Sequence, residues 1–226
     1  SPNFVMIGCL PSPTCSRREK ILSVYLESLL ETCSRVRKHE AWTTTHGREL
    51  LLRPVERLPT MQGAYDSFRT RMIGEAKTLF PVSRFTAGLL TDLGADPKRM
   101  IQVPNGTDPE RFCPMDASAL KAAHGLQGRS IILSVGRVAP RKGFDTVIQA
   151  LPQVCATVPD AAYVIVGDGP DSARLSALVS SLGLEDRVHR IGKVPWEDVP
   201  LWHNVADVFV TPSRSSPPSV EGFGIV

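Results

Sequence analysis

The chain has 226 residues, 42% of them hydrophobic and 22% charged, which suits a globular protein of one large or two modest domains. Its 26 basic and 23 acidic side chains leave a net charge of +3, too mild to build a nucleic-acid surface. Cys9, Cys15, Cys33, Cys113 and Cys155 show no Cys-x-x-Cys spacing, which argues against a disulfide scaffold or a zinc site and for a reducing, cytoplasmic setting; no apolar run approaches the ~18 residues of a membrane span.

In chain order, Phe4–Gly8 reads as a short apolar strand, and the opening SPNFVMIGCLP has no signal-peptide layout, as if the chain were entered part-way. Glu19–Val36 has helical spacing, Ala41–Thr45 is rich in β-branched residues, and Met61–Ala76 is helical by composition. Leu79–Val82 reads as a buried strand. Ser83 reads as the N-cap of a helix closed by Gly94, and Met100–Val103 as another strand. The turn VPNGTDPERFCP, with three prolines and an Asn-Gly, marks a domain boundary and gives domains 1–112 and 113–226.

The second half alternates more cleanly. Strands are expected at Ile131–Val135, Tyr163–Val166, Val188–Ile191 and Val208–Thr211. Helices are expected at Phe144–Thr157, kinked by Pro152, at Ser172–Leu182 and at Trp196–Asn204. Apolar strands separated by helices imply parallel sheets covered on both faces, hence an α/β fold of two Rossmann-like, doubly wound units.

The unusual polar residues follow strands. His46 follows Ala41–Thr45, Gly136 and Arg137 follow Ile131–Val135 with Lys142 close behind, Gly167 follows Tyr163–Val166, Lys193 follows Val188–Ile191, and Glu221 follows Val208–Thr211. Taken singly, each reads as a turn or a solvated loop charge. Together they fall on the carboxyl edge of open parallel sheets, where ligands bind. An Arg fork and a Lys point charge beside glycines suit a diphosphate, which backbone N–H groups and a helix N-terminus also favour. Asp-x-Asp, GxGxxG and GxxxxGK[ST] are all missing from the sequence, which weakens metal-diphosphate, dinucleotide and P-loop readings.

The segments ILSVGRVAPRKGFDTVIQALPQV, YVIVGDGP, RVHRIGKVPWEDVPLWHNVADVFVTPS and VEGFGIV resemble the C-terminal domain of the retaining glycosyltransferases of family four, the group 1 glycosyl transferases of GT-B fold. VPNGTDPERFCP resembles that family's interdomain segment, with Thr107 at a position usually aliphatic; TTTHGREL and PVSRFTAGLL resemble pieces of its N-terminal domain. The resemblance implies two facing Rossmann-like domains. It also implies that both are incomplete here: the second Glu of the family's Glu-x7-Glu motif would fall past Val226, and the N-terminal Gly-rich loop is missing upstream of Phe4.

The activity implied is transfer of a hexose, of mannose or glucose type, from a GDP- or UDP-sugar donor to an acceptor hydroxyl with retention of configuration. Arg137 and Lys142 are then expected to clamp the donor diphosphate beside Gly136, Gly167 and Lys193, and Val194 to contact the base. Glu221 would hold sugar hydroxyls, Gly222, Phe223 and Gly224 would offer backbone N–H groups, and His46 would sit near the anomeric carbon. The resemblance implies no tightly bound cofactor and no metal for the chemistry. The expected acceptor is a glycan, a lipid or a small molecule, and the expected location is cytoplasmic, with a peripheral membrane contact if the acceptor is a lipid. The competing readings are a nucleotide-sugar epimerase of the same architecture and an inactive piece with a structural or interaction role.

Overall fold

A computed structural model describes residues 4–6, 42–45, 59–214 and 224 of the chain. The chain divides into two compact units, with the division between Asn105 and Gly106.

Among the described residues the first unit holds a parallel sheet of three strands in the order β1-β2-β3: β1 (Phe4–Met6), β2 (Trp42–Thr45) and β3 (Thr78–Pro81). Helix α1 (Pro59–Glu75) precedes β3 and α2 (Arg84–Asp92) follows it. The expected cap is present: Ser83 Oγ accepts from the Thr86 N–H at 3.1 Å, satisfying a first-turn donor that would otherwise lack a partner. Met100–Val103 is extended alongside β3 without forming a regular strand: Ile101 N donates to Leu79 O at 2.9 Å and Val103 N to Pro81 O at 3.0 Å. The core is small, made of Ile73, Ala76, Leu79, Leu90 and Ala95. The helix expected over Glu19–Val36 lies outside the described residues.

The second unit is the larger sheet. Helix α3 (Ser118–Ala123) leads into β4 (Ser130–Val135), α4 (Phe144–Thr157), β5 (Ala161–Val166), α5 (Ser172–Ser181), β6 (Val188–Gly192), α6 (Val199–Val205) and β7 (Val208–Phe209). All its strands are parallel, in the order β6-β5-β4-β7. β5 is buried along its whole length, so its residues alternate between two cores. Ala162, Val164 and Val166 pack with Ile131, Leu133 and Val135 against Val199, Trp202 and Val205 of α6. Tyr163 and Ile165 pack on the other face with Ile148 and Leu151 of α4 and Leu175 and Val179 of α5. The result is a three-layer, doubly wound unit: the chain runs outward from β4 to β6 over one face, then returns over the other to place β7 beside β4.

Two sequence expectations change. Trp196–Asn204 is not one helix, because a single 3₁₀ turn (Trp196–Asp198) precedes α6, with Pro200 in the first turn where its missing N–H is harmless. The strands are not apolar throughout: β7 is short with both residues exposed, and β6 carries His189 and Arg190, as edge strands allow. The helix over Phe144–Thr157 runs through Pro152 to the expected end.

Candidate functional site

The strand order reverses between β4 and β7, so the carboxyl ends of these strands are the switch point of the sheet, the edge at which ligands bind in open α/β folds. The loops after β4, β5 and β6 are stitched together there by backbone. Gly136 N donates to Val166 O at 2.9 Å, Gly167 N to Gly192 O at 2.7 Å, and Val138 N to Asp168 O at 3.1 Å. Gly167 has φ +133, and a Cβ on it would lie 2.0 Å from Gly136 O, so only glycine lets these two loops touch.

Beyond Gly136 the chain makes a 3₁₀ turn (Pro140–Lys142), reverses through Gly143 in the left-handed region at φ +68, and enters α4. Lys142 is buried, with 8% of its surface exposed, and its Nζ lies 3.8 Å from the point that a Cβ on Gly136 would occupy. The turn therefore folds the ammonium back over the end of β4. Arg137 is exposed one residue past Gly136, and it makes no ion pair with the described residues. The first turn of the fourteen-residue α4, where the Thr146 N–H donates to Gly143 O at 2.9 Å, starts at the same edge and turns the positive end of the helix toward it. Lys193 is exposed just past the end of β6, and Val194 is half-buried against the core shared with α6.

Several charged groups around this edge belong to the frame. Asp168 accepts from Ser172 Oγ at 2.6 Å and from the Gly169 N–H at 2.7 Å. The Ser172 hydroxyl, then the Gly169 N–H, hold its carboxyl below the usual range. Asp171 pairs with Arg174, which holds its carboxyl down in the same way. Asp145, in the first turn of α4, accepts from Arg174 at 3.2 Å and from Arg214 at 2.9 Å. Within the sheet Tyr163 Oη donates to Ser134 Oγ at 2.9 Å, and Ser134 Oγ donates to Val210 O at 2.6 Å, tying β5, β4 and the end of β7 together. Burial pushes the Tyr163 hydroxyl well up.

A concavity elsewhere in this unit, about 450 Å³, is lined by Arg111, Phe112, Trp196, His203 and Asn204 among others. The Arg111 guanidinium stacks 5.5 Å above the Trp196 ring, and burial lowers the His203 pKa.

Of the residues singled out in the sequence, Gly136, Arg137, Lys142, Gly167, Lys193 and Val194 all lie on loops at the carboxyl ends of β4, β5 and β6. Gly224 is described only as a half-buried glycine at φ +77. His46, Glu221, Gly222 and Phe223 lie outside the described residues. Asp145 and Arg214 were not singled out, because their pairing joins positions 69 apart in the chain. The signal available was an acidic residue two positions after the Lys142-Gly143 pair, at the start of a helix.

Residues 116–226 match the family model described as "Glycosyl transferases group 1". This part of the chain is a group 1 glycosyltransferase domain. Among curated relatives, the chain is 36% identical over 188 residues to the GDP-mannose-dependent α-(1-6)-phosphatidylinositol monomannoside mannosyltransferase of Mycolicibacterium smegmatis, a match covering 81% of this chain and 47% of that relative. The chain thus spans about half the length of the curated relatives it matches. Among solved structures, Anabaena Alr3699/HepE in complex with UDP superposes with a TM-score of 0.67 at 21% identity, covering 84% of this chain and 52% of that one. Sucrose-phosphate synthase from Thermosynechococcus elongatus gives 0.68 at 20% identity, over 94% and 59%. The fold is that of the GT-B glycosyltransferases.

Proposed function

We propose that this group 1 glycosyltransferase moves a hexose from a nucleoside-diphosphate sugar to an acceptor hydroxyl with retention of anomeric configuration. The observation that carries the reading is the buried Lys142 ammonium folded against Gly136 beside the exposed Arg137, at the start of α4 and at the edge where the strand order reverses. A β-phosphate seated there meets a fork of donors, a point charge and the positive end of a helix. All three act on charge that grows as the C1–O(phosphate) bond breaks. The acceptor oxygen bonds to C1 on the face the phosphate leaves, and the acceptor proton passes to a leaving phosphate oxygen. In this reading Lys193 and Val194 face the nucleoside, Glu221 holds sugar hydroxyls, Gly222, Phe223 and Gly224 offer backbone donors, and His46 orients the sugar near C1. Arg137 and Lys142 neutralise the diphosphate, so the reading calls for no metal.

The donor and acceptor classes follow from relatives. The mycolicibacterial relative is named for GDP-mannose and a phosphatidylinositol mannoside, and the Anabaena structure holds UDP. We assign a mannose- or glucose-type donor and an acceptor that is a glycan or a glycolipid, met at the cytoplasmic membrane face when lipid-borne. Among the described residues no helix is long and apolar enough to cross a membrane.

The test is a panel of GDP-mannose, GDP-glucose, UDP-glucose and UDP-N-acetylglucosamine, each with and without glycolipid and free-sugar acceptors, with product anomers read by NMR. An α-linked product that needs acceptor is expected. Sugar interconversion without acceptor would instead identify an epimerase. Arg137→Ala is expected to lower kcat/KM by about 10²–10³, or roughly 3–4 kcal/mol of barrier, with an unchanged melting temperature. Unchanged turnover in that variant removes Arg137 from the diphosphate.

A further inference from the structure

The first turn of α4 holds a carboxylate that the diphosphate reading does not use. Asp145 is only 6% exposed, and each of its oxygens takes a different guanidinium. Burying a carboxylate is costly unless it is paired and hydrogen-bonded. Here the pairing joins two elements remote in sequence. On one side Arg174 of α5 bonds Asp145 at 3.2 Å while gripping Asp171 through Nε and Nη2, both at 2.6 Å. On the other side Arg214, from the segment after β7, bonds Asp145 at 2.9 Å and Thr146 Oγ1 at 2.5 Å.

The same segment grips the turn that carries Lys142. Arg214 N donates to Arg141 O at 2.7 Å, one residue before the lysine. Pro212 O lies 2.1 Å from where a Cβ on Gly143 would stand, one residue after it. Pro212 and Arg214 therefore bracket Lys142 on both sides through backbone, and the Asp145 carboxylate holds the Arg214 side chain that keeps the bracket closed. Arg174, itself tied to Asp171, fixes the carboxylate from behind.

We propose that Asp145 is a positioning residue for the diphosphate: by holding Arg214 against the Arg141–Gly143 turn, it fixes where the Lys142 ammonium sits. This rests on the reading of Lys142 as a phosphate ligand. It adds a chain of command, from Asp171 and Arg174 through Asp145 and Arg214 to the turn, that touches no substrate itself. Loosening the bracket lets the lysine swing without removing it, so the loss falls on the ligand's second phosphate.

The test compares a nucleoside diphosphate with its monophosphate, UDP with UMP and GDP with GMP, by titration calorimetry on the intact protein. The preferred base is the pair that binds more tightly. Lys142→Met sets the scale by showing how far the diphosphate-to-monophosphate affinity ratio falls when the ammonium is gone. Asp145→Asn is expected to lower that ratio about tenfold, while the monophosphate affinity changes less than about twofold. Arg214→Gln, at a half-exposed side chain, is expected to do the same and serves alone if Asp145→Asn does not fold. Equal losses for both nucleotides, or an unchanged ratio in the folded variant, overturn the positioning role. If Lys142→Met leaves the ratio unchanged, or the unsubstituted protein does not prefer the diphosphate, the lysine assignment falls and takes this proposal with it.

Discussion

Two hydroxyls in the middle of the second sheet are linked in series, and their order makes them unequal. Tyr163 gives its proton to Ser134, and Ser134 gives its own to Val210 O. Tyr163→Phe removes a donor and leaves Ser134 still bonded to Val210, so the expected loss in urea unfolding is about 1 kcal/mol. Ser134→Ala strands both the buried phenol and the half-buried Val210 carbonyl, and should cost about 2–3 kcal/mol. A larger loss for the tyrosine variant would reverse this order. The phenol also gives the fold an alkaline limit. Burial raises its pKa above the usual value of about 10, so above that pH the unfolded chain releases a proton that the folded chain keeps. This contribution is complete below about pH 10 and is lost as pH rises beyond it. Stability measured between pH 9 and 11 should therefore fall less steeply in Tyr163→Phe than in the unsubstituted protein.

At the level of elements, the turn into α4 leaves no room for error. Gly143 combines a left-handed backbone with a carbonyl where its Cβ would go. Gly143→Ala should cost at least about 2 kcal/mol from backbone strain and the displaced Pro212 together, read as a fall in melting temperature with weaker nucleotide binding. An alanine variant as stable as the parent would mean that the Pro212 segment yields freely. Elements of this kind were legible where a local pattern speaks for itself. Ser83 announced α2, and the apolar spacing from Phe144 announced α4 to its last residue. Helix α3 was not singled out, because six residues without a side-chain cap leave too short a pattern. Trp196–Asn204 was read as one helix because a 3₁₀ turn and an α-helix share nearly the same apolar spacing over so short a stretch. The loop residues Gly136, Arg137 and Lys142 could be named from the strand before them. That Asp145 meets Arg214 could not, since no local spacing encodes a contact across three crossovers.

For the molecule as a whole, each unit carries its own core, and the proposed donor site draws its described residues from the second alone. Nucleoside diphosphate at a hundredfold excess over its Kd should stabilise that unit by about 2.7 kcal/mol. Hydrogen exchange should then slow in β4, β5 and α4 and stay unchanged in α1 and α2; slowing spread evenly over both units would contradict this. The strand order has a last consequence, for synthesis. Because β7 returns to lie beside β4, the turn around Lys142 gets its bracket from residues translated well after it, once β5 and β6 have followed. A ribosome-bound chain that has exposed β4, α4 and β5 has made the ammonium and the glycines but not their clasp. The preference for diphosphate over monophosphate should appear only when Arg214 has cleared the exit tunnel, so that ligand capture reports the arrival of β7 and the segment after it.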